Sequence, residues 1–268
     1  MRILVCEYLS GGGGIAFVEA LRIEGKAMLA AVVGDFRRLG QHEVVTVAAA
    51  GPGGFLAAFR DGLRWAEAAL VIAPESGGVL AWLSAEVEAS GCRLLGSASD
   101  AVAVAADKLA TGRLLAEGGV LTPLCRAVEA GGGGVYPSVI KPVDGCGAAG
   151  VWLVRNDGER AEALRRLLPG GACLEQPYVA GLPASVSLLV GAGGRAQALS
   201  LNRQMIEVVD GQFVDCGYPE PLSTHPLAAR ARSAAVAACR LIPGLRGFVG
   251  VDVVLTDTDV WVIEVNPR

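Results

Sequence analysis

The chain reads as an α/β protein that becomes α+β toward its C-terminus. The first hundred residues alternate short apolar runs with longer mixed ones, a glycine-rich tip separates two apolar strands near the middle, and the last part holds four apolar runs around one helix. At 268 residues, 52% hydrophobic and 19% charged, the chain can bury a large core and fits two lobes better than one. Its 37 Gly and 13 Pro show no G-X-Y period, which excludes fibrous and low-complexity classes.

The elements follow in order. Residues 2–6, 43–47, 69–73 and 93–95 read as strands and 15–33, 55–67 and 78–89 as helices, an alternation that implies parallel strands with helical crossovers. Short turns at 9–14 and 74–78 follow the first and third strands, where open α/β sheets take ligands. Glu7, Ser10 and Glu75 lie there, and a capping or solvated role suits each equally well. Ser99 or Asp100 caps a helix beginning at Ala101, and Asp107-Lys108 opens another that runs to Glu117. After a glycine-rich spacer at 130–134, the strand at 137–142 carries prolines, which suits a sheet edge. Strands at 151–154 and 172–175 flank a helix at 159–168. The strands at 184–190, 196–201, 248–255 and 260–265 surround a helix at 226–241.

With 23 Lys+Arg against 27 Asp+Glu, the net charge of −4 provides no basic footprint for nucleic acid or an anionic membrane, so a small-molecule partner is expected. The longest uncharged stretch, 176–194, is broken by prolines, serines and glycines and reads as core rather than a membrane span. The N-terminus lacks the pattern of an export signal. Seven scattered Cys without C-x-x-C fit reduced thiols in the cytoplasm. Only three lysines (26, 108, 141) and three asparagines (156, 202, 266) occur, so each is a candidate for a position where Arg or Asp would not serve.

Gly145 to Gly150 matches G-x-G-x-x-G, yet a dinucleotide fingerprint must open a helix and here an apolar strand follows. A β-hairpin tip is expected instead, either an ordinary flexible one or a flap whose N–H groups face nucleotide phosphates, with Lys141 supplying a point charge. Near the C-terminus, Asp252, Glu264 and Asn266 stand inside apolar strands. Period-two alternation puts Glu264 and Asn266 on one face, and Asp252 joins them if the two strands pair. Two carboxylates and an amide oxygen form a hard, incomplete oxygen shell of the kind Mg²⁺ accepts beside phosphates and water.

Asp107-Lys108, Ile140-Lys141-Pro142 with its glycine loop, Glu175-Gln176-Pro177-Tyr178-Val179, then Asp252, Glu264 and Asn266 resemble the ATP-grasp carboxylate–amine ligases in order and spacing. Within that superfamily, Glu24 to Leu29, Ile72 to Glu75, Asp144 to Gly147, Ser185 to Ser187, Leu201 to Gln204 and Gly250 to Asp252 look like the tyramine–L-glutamate ligases of methanofuran biosynthesis. The resemblance implies an ATP-grasp fold: a Rossmann-like parallel-sheet domain (1–97), a small lid subdomain with connecting helices (98–175) and an antiparallel-sheet subdomain with the metal site (176–268).

It also implies roles. Lys108 and Lys141 would contact ATP phosphates under Gly145, Cys146 and Gly147, and the hinge from Glu175 through Gln176, Pro177 and Tyr178 to Val179 would hold the adenine. Asp252, Glu264 and Asn266 would hold two Mg²⁺ (or Mn²⁺) ions. Arg268 would steady the transferred phosphate, and Asn202 and Gln204 would face the acyl-phosphate region or substrate. The implied reaction joins L-glutamate to tyramine or a close aromatic amine through an acyl phosphate. Another carboxylate and amine, or a nucleotide-binding pseudoenzyme, remain as alternatives, and homo-oligomerisation is left open. Pro183 stands where related ligases carry an acidic residue for the ribose, and the chain stops after Arg268 where the family would continue.

Overall fold

The computed structural model describes residues 1–14, 19–47, 54–128, 132–145, 148–217 and 219–267. The chain folds as two compact units that divide near Val102. The first holds β1 (Arg2–Glu7), α1 (Glu19–Arg38), β2 (Glu43–Thr46), α2 (Phe55–Trp65), β3 (Ala68–Ile72), α3 (Val79–Ala89) and β4 (Arg93–Leu94). The strands form a parallel sheet in the order β2-β1-β3-β4. Both faces of β1 are covered, which explains why its apolar run is continuous rather than alternating. Ile3 and Val5 pack with Val33, Leu29 and Phe36 of α1, while Leu4 and Cys6 pack with Phe55, Phe59 and Leu63 of α2 and with Leu80 and Leu83 of α3. Residues 15–18 of the expected first helix lie outside the described residues.

Helix α4 (Ser99–Ala106) runs through the boundary, and α5 (Lys108–Glu117) begins the second unit proper. Asp107 caps α5 by accepting the N–H groups of Leu109 at 2.9 Å and Ala110 at 3.0 Å, which explains why a new helix starts there. The first sheet of this unit comprises β5 (Arg126–Ala127), β6 (Ser138–Pro142), β7 (Trp152–Val154) and β8 (Cys173–Pro177), with α6 (Asp157–Leu167) packed on β6 and β7. The second comprises β9 (Leu182–Val190), β10 (Ala196–Arg203), β13 (Glu220–Pro221), β14 (Gly247–Leu255) and β15 (Val260–Pro267), and α7 (Ala228–Arg240) packs against it. Between β10 and β13 the chain returns to the first sheet as a hairpin, β11 (Ile206–Val209) and β12 (Gln212–Asp215). The sheet orders are β11-β12-β7-β6-β8-β5 and β13-β10-β9-β14-β15, antiparallel in every recorded pairing.

Two expectations change. Strand β6 is interior, between β7 and β8, not at an edge. Pro137 precedes it and Pro142 is its last residue, so neither deletes a donor from its middle, and Val139, Ile140 and Lys141 are buried. The β11/β12 hairpin was not anticipated. Its turn, Asp210-Gly211, has positive φ at both residues (49° and 83°), the signature of a tight hairpin turn.

Candidate nucleotide and metal site

Lys141 and the two acidic strands meet inside the second unit. Strands β14 and β15 pair so that Asp252 faces Glu264 and Gly250 faces Asn266, the hairpin that the candidate metal shell requires. A register shift follows Asp252, a bulge that re-aims side chains beside it. Asn266 Nδ2 donates to Asp252 Oδ2 at 3.2 Å. The Glu264 carboxylate lies 3.8 Å from Lys141 Nζ, and their side chains are 18% and 6% exposed. Burial pushes the Glu264 carboxyl up, but the ammonium groups of Lys141 and Lys108, aided by its side-chain hydrogen bonding with Asp252 and Asn266, outweigh it, and its pKa ends below the usual range.

The neighbouring strands extend this row. Asp252 stands opposite Ser185 of β9, and Ser185 opposite Asn202 of β10, so Asn202, Ser185, Asp252 and Glu264 form one line across four strands. Asn202 Nδ2 donates to Ser200 Oγ at 2.9 Å. Gln204 is held by its backbone, which donates to Pro183 O at 3.0 Å. The sequence motifs named Ser185 without giving it a place in the site; the register supplies one.

Lys108, the first residue of α5, reaches Gly145 O with its ammonium, while its backbone N–H bonds Val143 O at 3.3 Å. The glycine segment joins β6 to β7, which pair antiparallel with Ser138 opposite Val154 and Ile140 opposite Trp152. It is therefore a hairpin tip, and the dinucleotide reading is excluded. Gly150 holds φ at +73°, and a Cβ there would stand 3.1 Å from Leu167 and 3.3 Å from Pro142. Cys146, Gly147 and Arg268 lie outside the described residues.

The hinge segment divides by environment. The Glu175 carboxylate is buried and accepts Ser138 Oγ at 2.7 Å, Arg126 at 3.0 Å and Arg160 Nε at 3.2 Å, so this side chain serves the interior of the first sheet. Gln176 is also buried and its Oε1 accepts Cys125 Sγ at 3.3 Å, a contact that no sequence motif signalled. Burial raises the Cys125 thiol pKa more than the nearby Lys141 charge lowers it. Pro177 has no N–H, Tyr178 donates its own to Pro137 O at 3.1 Å, and its ring lies 6.4 Å from that of Phe213. Among Gln176, Pro177, Tyr178 and Val179, the amide of Val179 makes no backbone hydrogen bond among the described residues.

Two carboxylates and an amide oxygen in adjoining registers are hard donors suited to Mg²⁺, and two lysines beside them suit phosphate oxygens. No group of three or more His, Cys, Asp or Glu side chains forms anywhere among the described residues, and the shell here consists of two carboxylates and an amide.

Residues 105–268 match the ATP-grasp domain family and residues 35–102 the pre ATP-grasp 3 domain, and the chain belongs to the ATP-grasp family. It is 34% identical over 200 residues to the tyramine–L-glutamate ligase of Methanocaldococcus fervens, covering 75% of this chain and 58% of that protein. To the tyramine–L-glutamate ligase of Methanocaldococcus jannaschii it is 32% identical over 203 residues, covering 75% and 55%. The chain thus spans somewhat over half the length of these curated relatives. Among solved structures, a putative ATP-grasp superfamily protein from Archaeoglobus fulgidus superposes with a TM-score of 0.77 at 24% identity, covering all of this chain and 81% of that one, which shows the shared fold. No helix among the described residues is long and apolar enough to cross a membrane.

Proposed function

We propose that this protein is an ATP-dependent carboxylate–amine ligase that joins L-glutamate to tyramine or a close aromatic amine in the cytoplasm, as a step toward a methanofuran-type one-carbon cofactor. The observation that carries this is the 3.8 Å approach of Lys141 to Glu264 beside Asp252 and Asn266, which puts a phosphate-binding cation next to a hard oxygen shell. Similarity to two tyramine–L-glutamate ligases supports the substrate pair.

In this reading Lys108 and Lys141 hold the ATP phosphates as point charges. Gly145, Cys146 and Gly147 would cover them, and the segment from Glu175 to Val179 would receive the adenine, with the Val179 N–H, which makes no backbone hydrogen bond among the described residues, as a donor. Asp252, Glu264 and Asn266 would hold Mg²⁺ or Mn²⁺, two ions in all. When bound, the metal neutralises charge on the transferring phosphoryl group. A carboxylate oxygen of glutamate forms a bond to the γ-phosphorus and ADP leaves. The deprotonated amine then forms the C–N bond and phosphate leaves. Asn202 and Arg268 steady the acyl phosphate, the latter as a planar bidentate donor. Water excluded by the tip cannot hydrolyse that intermediate.

Coupled ADP release with L-glutamate and tyramine together, against either alone, tests the reading. It predicts ADP only with both and a γ-glutamyl amide by mass spectrometry. ATP binding without turnover would instead favour a nucleotide-binding pseudoenzyme, and turnover with a different pair would move the substrate assignment.

A further inference from the structure

One face of the sheet that carries Asp252 and Glu264 changes its chemistry from row to row. Residues two apart on a strand share a face, and paired residues on neighbouring strands stand side by side on it. Ala184, Val186, Leu188 and Val190 of β9 and Val249, Val251 and Val253 of β14 are buried on the side that α7 covers. The other side begins with the line already described, Asn202, Ser185, Asp252 and Glu264. The next row holds only small or polar residues, Ser200, Ser187, Gly250 and Asn266. In the row after that, Leu189 of β9 stands opposite Phe248 of β14.

These two side chains are 52% and 43% exposed, although both are large and apolar. Directly opposed residues have Cβ atoms about 5 Å apart, so the pair forms one apolar shelf rather than two isolated spots. Single exposed leucines are ordinary, whereas a leucine and a phenylalanine paired in register on the face of a metal shell mark a contact surface. Two residues along a strand advance about 7 Å, which places the shelf one step from the row of Gly250 and Asn266 and two from that of Asp252. Between shelf and shell, Ser187 and Gly250 contribute no large side chain.

That spacing matches one kind of ligand. In the ligase reading, the activated carboxyl carbon lies beside the metal shell, and the attacking nitrogen approaches it from the neighbouring row. A ring carried two methylene groups from that nitrogen then extends over the next row, where it meets Leu189 and packs offset or edge-on against Phe248. Glutamate, with two carboxylates and an ammonium, gains nothing on an apolar shelf.

We propose that Leu189 and Phe248 form the seat for the aromatic ring of the amine substrate and thereby select an arylethyl amine over a short aliphatic one. The identity of the amine rests on the ligase reading above. The distance of the shelf from the metal shell does not, and every residue of the argument lies in one sheet.

The test compares tyramine with 2-phenylethylamine, which lacks only the hydroxyl, and with ethylamine, which lacks the whole ring. Affinities of the wild-type protein, Phe248→Ser, Leu189→Ser and Phe248→Leu are read by calorimetry with Mg²⁺ and a non-hydrolysable ATP analogue, and KM values by ADP release. Wild type is expected to prefer tyramine over ethylamine by about a hundredfold, with 2-phenylethylamine close to tyramine. Phe248→Ser and Leu189→Ser should each reduce that preference to about tenfold or less by raising the KM for tyramine, with the KM for ATP unchanged. Phe248→Leu keeps an apolar surface and should retain most of the preference. Melting temperatures near that of wild type are expected, since both side chains are largely in solvent.

A preference that survives both serine variants overturns the proposal, and so does a wild-type protein that does not discriminate between tyramine and ethylamine. Sedimentation of each variant covers the other occupant: if a serine variant dissociates a wild-type dimer while the preference stays intact, the shelf seats a second copy of the chain and the proposal falls. Should Phe248→Ser not fold, Leu189→Ser decides by the same criterion. Absence of ADP release, with a ring preference in calorimetry that depends on Phe248 and Leu189, would sink the ligase pairing and leave the shelf standing.

Discussion

Lys141 helps hold Glu264 in its charged form inside the second unit. Because the folded-state pKa of Glu264 lies below its ordinary value, the unfolded chain takes up a proton first as pH falls. The stability this carboxylate contributes is complete above the usual carboxylate range and is lost as pH drops through the depressed value. Lys141→Met should shrink the effect, so urea midpoints of variant and wild type, taken in EDTA, should converge as pH is lowered from about 6 to about 3. Glu264→Gln should retain the fold while ADP release falls about a hundredfold or more, a size typical of losing one charge-stabilising group. At this scale the sequence was informative where a residue type is rare: two of its three lysines and two of its three asparagines stand at the site. It was silent where geometry alone makes the contact, as between Cys125 and Gln176, because nothing in either residue's local pattern encodes a partner 51 positions away.

Helix starts and hairpins show how element-level signals succeed or mislead. Asp107→Ala removes an acceptor from two N–H groups of α5, and should cost about 1 kcal/mol. That corresponds to a melting shift of about 2–4 °C, together with a higher KM for ATP because Lys108 follows the cap directly. Gly150→Ala combines an unfavourable positive φ with contacts to Leu167 and Pro142, and about 1–2 kcal/mol of destabilisation is expected in a chemical denaturation curve. The parallel strands and crossover helices were legible from periodicity, since buried runs and amphipathic stretches of the right length alternate. Placing β6 at an edge failed because proline was weighed by its presence rather than by which amide it removes. The β11/β12 hairpin carried a readable signal in Asp210-Gly211 between valine-rich runs. Its long-range return to the first sheet is a tertiary fact that local pattern cannot contain.

Across the whole molecule, burial sorts the thiols. Desolvation, with the adjacent Glu7 charge adding to it, drives the Cys6 pKa far up, and desolvation raises Cys239 to about 11. Cys173 is buried too, whereas Cys216 is exposed. An aromatic disulfide reagent at neutral pH should therefore label Cys216 quickly in the native protein, and Cys6, Cys173 and Cys239 only after unfolding, with peptide mapping to assign each. Rapid labelling of Cys6 would contradict the packing of β1. The texture of the sequence changes from Ser97, where two helical runs follow the alternating part, and the chain divides into two compact units near Val102. Which strands share a sheet was not readable, since the chain leaves the first sheet of the second unit after β8 and rejoins it at β11.

The Lys141–Glu264 contact spans the two sheets of the second unit, with the lysine on β6 and the carboxylate on β15. It acts as a latch whose two halves are the groups that a nucleotide phosphate and a metal ion would each claim. Such a ligand does not simply fill a gap; it exchanges partners at both ends of an existing tie. In the proposed role of these residues, the spacing of the sheets and the affinity for a metal–nucleotide complex are coupled, and a substitution that loosens one sheet from the other is expected to register as a change in binding even when it touches no ligand.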